Sequence, residues 1–299
     1  MKRIYIAGCG GMLGEAFYRK FKDDFTLKCT DIDVNEAWLS YLDFRDFEKY
    51  RKDVSEFKPD FLFHIGAHTN LEYCEENPDD AYVTNTLAVE NAVYIANELD
   101  IPILYISTAG IFDGKKKSYD DWDLPNPLCV YAKSKYYGER FVIENAKRYL
   151  ICRPGWMIGG GPKKDKKFIG LLMKQLKEGK KELFLVTDKE GTPTYTCDFV
   201  ENVRLLMEKE EFFGLYNMSC NGNANRLEVA KELIKILDLE KEVKITPVTS
   251  DYFKETFFVS RPSSETLINK KLDLRGLNLM KNWKTALKEY IEEYYKEYL

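Results

Sequence analysis

Lys2-Arg3-Ile4-Tyr5-Ile6-Ala7-Gly8-Cys9-Gly10-Gly11-Met12-Leu13-Gly14 carries the first decision about the fold. Lys2 to Ala7 suits a short buried strand, and from Met12 to Phe21 the apolar residues recur at helical spacing. Between the two, Gly8, Gly11 and Gly14 repeat at equal intervals. In a strand–turn–helix unit one such glycine permits the tight turn and a second lets the backbone approach a pyrophosphate. The third lets helix and strand pack closely. The helix start then offers unpaired N–H groups and the positive end of its dipole to phosphates. Turns of every kind collect glycine, so it is the position between strand and helix that carries the weight. Gly8, Gly11, Met12, Leu13 and Gly14 are the expected cofactor loop.

The same alternation continues outward. Phe25 to Asp31 and Phe61 to Ile65 read as strands, Asp79 to Leu99 as one long helix begun by Pro78, and Ile103 to Ser107 as a further strand. After the Pro125-Asn126-Pro127 turn a helix runs from Val130 to Arg148, and Leu150 to Arg153 enters another strand. Strands alternating with helices specify βαβ units, here an α/β, Rossmann-like doubly wound parallel sheet. Beyond Gly159-Gly160-Gly161-Pro162 the chain turns to a lysine-rich loop, a helix candidate from Phe168 to Glu178, and shorter elements. The expected division is a dinucleotide-binding domain over 1–155 and a smaller C-terminal α/β substrate-binding domain over 156–299, part of which returns to the first.

The 299 residues, 44% hydrophobic and 31% charged, are enough for a large core. Forty-five Lys and Arg against 49 Asp and Glu leave a net charge of -4, which argues against nucleic acid as a partner. No apolar run approaches the roughly 18–20 residues of a membrane span. The small residues before Cys9 lack the apolar stretch of a secretory signal. Seven scattered cysteines indicate neither a disulfide framework nor a zinc site, so a cytoplasmic protein without membrane contact is expected. His64 and His68, the only histidines, have the spacing of a metal pair on a helix. They fall instead on a strand and the loop after it with no third ligand adjoining, and no metal is expected. The aromatic C-terminal helix, with Tyr290, Tyr294, Tyr295 and Tyr298, is expected to pack on its own domain, with a homodimer contact as the alternative.

Two features point to chemistry. Asp31 ends the second strand, at the distance where an acid bonds the ribose hydroxyls of adenosine, with Asp33 as a nearby competitor. A carboxylate there repels a 2′-phosphate, so NAD(H) is favoured over NADP(H). Tyr131 and Lys135 lie four apart in a predicted helix and share a face. A cation beside a phenol favours the phenolate, as a general acid/base needs. Tyr18 and Lys22 have the same spacing, so context decides. Tyr131 follows the strand that ends in Ser107-Thr108, at the edge where an open α/β sheet places its ligand, and Thr108 offers a hydroxyl to a substrate carbonyl.

At this point the chain resembles the extended short-chain dehydrogenase/reductases. The motifs are Gly8-x-x-Gly11-x-Leu13-Gly14, Ser107-Thr108 with Phe112-Asp113-Gly114, and Asn126-Pro127-Leu128-x-x-Tyr131-x-x-x-Lys135. Within them it is similar to the dTDP-4-dehydrorhamnose reductase family, through Gly191-Thr192-Pro193-Thr194-Tyr195 with Asp198, then Asn282-Trp283 and Ala286-Leu287. The resemblance implies a Ser/Thr-Tyr-Lys triad at Thr108, Tyr131 and Lys135. It places Asp43 and Phe44 beside adenine, and Gly66, Ala67, His68 and Asn85 along the cofactor, with Tyr131 and Lys135 contacting it as well. It places Thr69, Thr108, Trp156, Thr194 and Tyr195 at a nucleotide-sugar substrate. The implied activity is NAD(P)H-dependent reduction of a 4-keto-6-deoxy nucleotide sugar. The rivals are an epimerase that retains NAD and a non-catalytic regulatory subunit like the one that binds methionine adenosyltransferase. The family usually has Asp-Tyr after the triad threonine, where this chain has Ala109-Gly110. A larger, less polar pocket beside the reacting carbon is therefore expected.

Overall fold

Ile4 and Ile6 are buried in one core cluster while Tyr5 and Ala7, between and after them, are buried in another. A strand that is apolar on both faces needs helices on both sides, and that is the arrangement in the computed structural model, which describes residues 1–299. In chain order the first half comprises β1 (Arg3–Ala7), α1 (Met12–Phe21), β2 (Thr26–Asp31), β3 (Leu39–Tyr41), α2 (Phe47–Phe57) and β4 (Phe61–His64). It continues with α3 (Leu71–Glu76), α4 (Pro78–Tyr82), α5 (Ala88–Glu98), β5 (Ile103–Ile106), α6 (Val130–Asn145) and β6 (Tyr149–Arg153). Next come β7 (Trp156–Ile158), α7 (Gly161–Lys164), α8 (Phe168–Lys177), β8 (Glu182–Val186), β9 (Glu190–Gly191), β10 (Pro193–Tyr195) and α9 (Thr196–Glu208). The chain ends with β11 (Gly214–Asn217), β12 (Ala224–Asn225), α10 (Arg226–Ile236), β13 (Lys244–Val248), α11 (Lys270–Arg275) and α12 (Trp283–Tyr294).

The central sheet has seven strands in the order β11-β6-β5-β4-β1-β2-β3. Every pair in it is parallel. The order reverses between β1 and β4, so the crevice at their C-terminal ends is where such a sheet takes its ligand. β11 lies far along the chain yet pairs with β6, so the polypeptide crosses back to the sheet after leaving it at β7. The remaining strands form three small pairs, β10 with β7, β12 with β9 and β13 with β8, standing beyond the C-terminal edge of the sheet.

The long helix expected over 79–99 is broken. α4 passes through a π-turn at Val83–Leu87 before α5 begins. The wider turn lets Asn85 and Thr86 reach inward: Thr86 Oγ1 donates to the Ser134 carbonyl at 2.8 Å and Asn85 Nδ2 to Ser134 Oγ at 3.0 Å. One-turn π-bulges of this kind often mark functional sites. α6 stops at Asn145 rather than 148, because Ala146 is already extended and leads into β6. The C-terminal helix α12 packs on its own chain. Tyr290 and Tyr295 are buried in the large core, and Tyr290 donates to Asp165 at 2.8 Å. No helix is long and apolar enough to cross a membrane.

Candidate active site

The glycine loop leaves β1 at Gly8, whose φ of +81° suits glycine, and Gly8 abuts Gly66 so closely that neither can carry a Cβ. Ile65 and Gly66 donate their N–H groups to the Ala7 carbonyl, tying the loop after β4 to the end of β1. Phe44 packs its ring under Gly66 and edge-on to His64, with centroids 4.8 Å apart. A Cβ at Gly14 would collide with the Cys9 carbonyl, so this glycine sets the helix-to-loop approach. Gly11 differs. It is the N-cap of α1, makes no side-chain cap, is exposed, and has nothing within 4 Å of where its Cβ would stand. The first N–H groups of α1, at Met12 and Leu13, thus follow a glycine whose surroundings are open to a close backbone approach, and these residues fit the pyrophosphate of a dinucleotide.

Asp31 lies against the same loop, at Gly10. Its Oδ2 accepts from the Gly10 N–H at 2.8 Å and its Oδ1 from the Asp33 N–H at 2.9 Å, so the carboxylate is fixed and retains lone pairs for further donors. Asp33 itself bonds Asn35. Next to the loop after β4, Asn85 clamps His68: its Oδ1 accepts from the His68 N–H at 2.8 Å and its Nδ2 donates to the His68 carbonyl at 3.0 Å. Ala67 lies between Gly66 and this clamp. The His68 ring pairs with Asp80, which also takes Arg45, and Arg45 pairs with Asp43 at 2.6 Å. That guanidinium holds the Asp43 carboxyl below its usual range. His64 is buried against Tyr50, with Nδ1 3.2 Å from the phenol, and burial lowers it to about 3, so it is a neutral core residue. No cluster of three or more His, Cys, Asp or Glu side chains is spaced for a metal.

Thr108 stands just past the C-terminal end of β5 and caps a short 3-10 turn, its Oγ1 accepting from the Gly110 N–H at 3.1 Å. α6 carries Tyr131 and Lys135. Its first N–H, at Val130, donates to Glu75 at 3.0 Å, and Gly138 lets its axis approach the Asn85 carbonyl. Tyr131 is partly buried. Desolvation pushes its phenol up, and the Thr108 hydroxyl opposes this by favouring the phenolate. Lys135 is 3% exposed, with Nζ 4.3 Å from the Tyr105 ring centroid. Burial lowers it to about 7, and Glu139 one turn further on pulls it back up. Glu139 is held by Arg153 in a buried bidentate pair at 2.9 and 2.5 Å. The competing tyrosine, Tyr18, instead stacks flat on Trp38 with centroids 4.1 Å apart.

The expected substrate residues divide. Thr69 is exposed at the crevice and accepts from Lys167 Nζ at 2.9 Å. Thr194 and Tyr195 are not open to the crevice, a correction to their expected role. Thr194 has no exposed surface and takes the Gly155 N–H, while Tyr195 lies in the core with its hydroxyl donating to Glu293 at 2.6 Å. As neighbours on the short strand β10 they point to opposite faces, and both faces are covered. Trp156 has its indole against Gly191 and beneath the Arg226 guanidinium, whose Cζ is 3.7 Å from the ring centroid. The less polar pocket expected from Ala109-Gly110 is also corrected, because the Glu265 carboxylate fills that space. A Cβ at Gly110 would stand 3.2 Å from Glu265 Oε1, and Glu265 Oε2 accepts from Trp156 Nε1 at 2.6 Å. Glu265, Arg226 and Glu139 were not expected from sequence. Glu139 alone had a local signal, lying four residues after Lys135 on the same helix.

The family model described as "RmlD substrate binding domain" matches residues 1–296. The chain belongs to this family. These proteins are extended short-chain dehydrogenase/reductases of the dTDP-4-dehydrorhamnose reductase type. The chain is 28% identical to the spore coat polysaccharide biosynthesis protein SpsK of Bacillus subtilis, over 98% of each chain. It is 25% identical to methionine adenosyltransferase 2 subunit beta of Xenopus laevis, over 96% of this chain and 86% of that one. Among solved structures it is similar to the dTDP-4-dehydrorhamnose reductase of Bacillus anthracis in complex with NADP. There the TM-score is 0.88 at 27% identity, with 98% of this chain and 99% of that chain covered.

Proposed function

We propose that this RmlD-family protein reduces the ketone of a 4-keto-6-deoxy nucleotide sugar with NAD(P)H, preferring NADH. The observation that carries the reading is the Thr108 hydroxyl, at the end of β5, facing the Tyr131 phenol, with Lys135 one helical turn further along α6. Residues 1–155 would hold the dinucleotide and 156–299 the sugar nucleotide. Gly8, Gly11, Met12, Leu13 and Gly14 line the pyrophosphate, and Asp31 takes the adenosine ribose. Asp43, Phe44, Gly66, Ala67, His68 and Asn85 complete that side.

When bound, the reduced dinucleotide supplies a hydride to the carbonyl carbon. Tyr131 donates its phenolic proton to the carbonyl oxygen, leaving an alcohol, and Thr108 hydrogen-bonds the same oxygen. Lys135, when protonated, stabilises the resulting phenolate and holds the nicotinamide ribose. Glu139 favours the charged form of that lysine from behind, against the larger effect of burial, and Arg153 holds Glu139 in place. The intact triad favours catalysis over a purely regulatory role.

The test is NADH oxidation over 4-keto sugars carrying dTDP, UDP or GDP. Oxidation dependent on at least one sugar is expected. No oxidation with any of them, together with a dinucleotide that co-purifies at full occupancy, would favour the epimerase instead.

A further inference from the structure

We infer that Glu265 is the residue that selects the sugar, its Oε1 accepting a hydrogen bond from a hydroxyl on the carbon next to the reacting ketone. The inference rests on the reductase reading and adds to it the substituent that the site recognises.

The position is built rather than incidental. Glu265 lies in an extended strap that Glu190 pins by taking the Glu265 N–H at 2.8 Å. Ser263 Oγ donates to the Gly114 carbonyl at 2.7 Å and Ser264 Oγ to the Lys117 carbonyl at 2.6 Å. Tyr119 bonds the strap on both sides of Leu267, donating its N–H to the Thr266 carbonyl and accepting the Ile268 N–H. The side chain is aimed by the Trp156 indole N–H, which occupies Oε2. Trp156 is itself held against Gly191 and beneath the Arg226 guanidinium.

Oε1 makes no hydrogen bond within the chain, and it shares the space over Gly110 with the Thr108 hydroxyl. Glu265 Oε1 and Thr108 Oγ1 lie 3.2 and 3.5 Å from one point, the place where a Cβ of residue 110 would be. The Glu265 charge is also felt at the Tyr131 phenol. With Thr108 and Tyr131 bonding the carbonyl oxygen, a carboxylate oxygen this close reaches a substituent one carbon away. A carboxylate is acceptor-only, so that substituent must be a donor. Gly110 leaves room for Oε1. Any side chain at 110 would press on it, and a tyrosine there would displace it.

The experiment compares the unmodified protein with Glu265→Ala and Glu265→Gln on two substrates, a 4-keto sugar nucleotide and its analogue lacking the neighbouring hydroxyl. Dissociation constants for NADH are measured in parallel. The unmodified protein should prefer the hydroxylated sugar in kcat/KM by about 10- to 100-fold, the range expected of a hydrogen bond to a charged group. Glu265→Ala should bring that ratio close to one, mainly through KM, with NADH binding unchanged. Glu265→Gln, whose single acceptor oxygen the Trp156 N–H takes, presents an amide N–H where Oε1 stood and should lower the ratio well below that of the unmodified protein. A Glu265→Ala protein that folds and keeps the full preference would overturn the assignment while leaving the reductase reading intact. If that variant does not fold, an undiminished preference in Glu265→Gln overturns it equally. An unmodified protein that turns over neither sugar would overturn both.

Discussion

Lys135 should destabilise the protein that contains it. At 3% exposure its ammonium is nearly out of water, and burial lowers it from 10.5 to about 7. Keeping the lysine charged in the folded state therefore costs on the order of 5 kcal/mol. The unfolded chain holds this proton up to about pH 10.5, whereas the folded chain releases it near 7. Between those values the unfolded state binds more protons, so this group makes stability rise with pH. Below pH 7 the whole penalty is present; by pH 9 about 3 kcal/mol of it has been relieved. Lys135→Met replaces the ammonium with an apolar chain of similar length. In urea unfolding without cofactor the variant should be clearly more stable than the parent at pH 6, and its advantage should shrink markedly at pH 9. It should also lose most reductase turnover, a case of stability gained where function is lost. Equal stability at pH 6, or the same advantage at both pH values, would refute the reasoning.

Four further outcomes follow from the same geometry. Gly11→Ala, at φ -86° with nothing within 4 Å, should leave the melting temperature unchanged but weaken dinucleotide binding by about 1–3 kcal/mol in calorimetry. Gly14→Ala should instead lower the melting temperature, because its Cβ meets the Cys9 carbonyl. Tyr131→Phe should cut kcat by about 10²–10⁴-fold with NADH affinity preserved, whereas Tyr18→Phe, stacked on Trp38, should change little. The ratio of kcat/KM for NADH to that for NADPH should exceed one and should fall in Asp31→Ala; a ratio unchanged by the substitution would mean that Asp31 only braces Gly10 and Asp33.

What the sequence disclosed is what lies close together in it. β1, the glycine loop and α1 form a run of neighbours, and the short apolar run of the strand and the 3.6-residue period of the helix can be read directly. Tyr131 and Lys135 are one helical turn apart, and the Pro125-Asn126-Pro127 turn marks where that helix begins. β3 has only three residues, two of them exposed, and is too short to show alternation. The π-turn at Val83–Leu87 has no periodic signature, because it arises from the tertiary bonds of Asn85 and Thr86 to Ser134. Tyr195 misled for a related reason. The motif places the residue on β10, but its ring is covered by α12, through Tyr290 and Glu293, nearly a hundred residues further along the chain. Glu265 was beyond reach, since its meaning depends on an absence at Gly110 and a donor at Trp156, both more than a hundred residues away.

The central claim is that hydride passes from the dinucleotide to the sugar ketone at Tyr131. Cofactor deuterated at the nicotinamide C4 should be incubated with the 4-keto sugar that is turned over, and the product examined by mass spectrometry and NMR. One deuterium at the former carbonyl carbon, with one oxidised dinucleotide released per product, is the expected result. A product without deuterium, or an altered sugar formed with no net consumption of reduced cofactor, would contradict it.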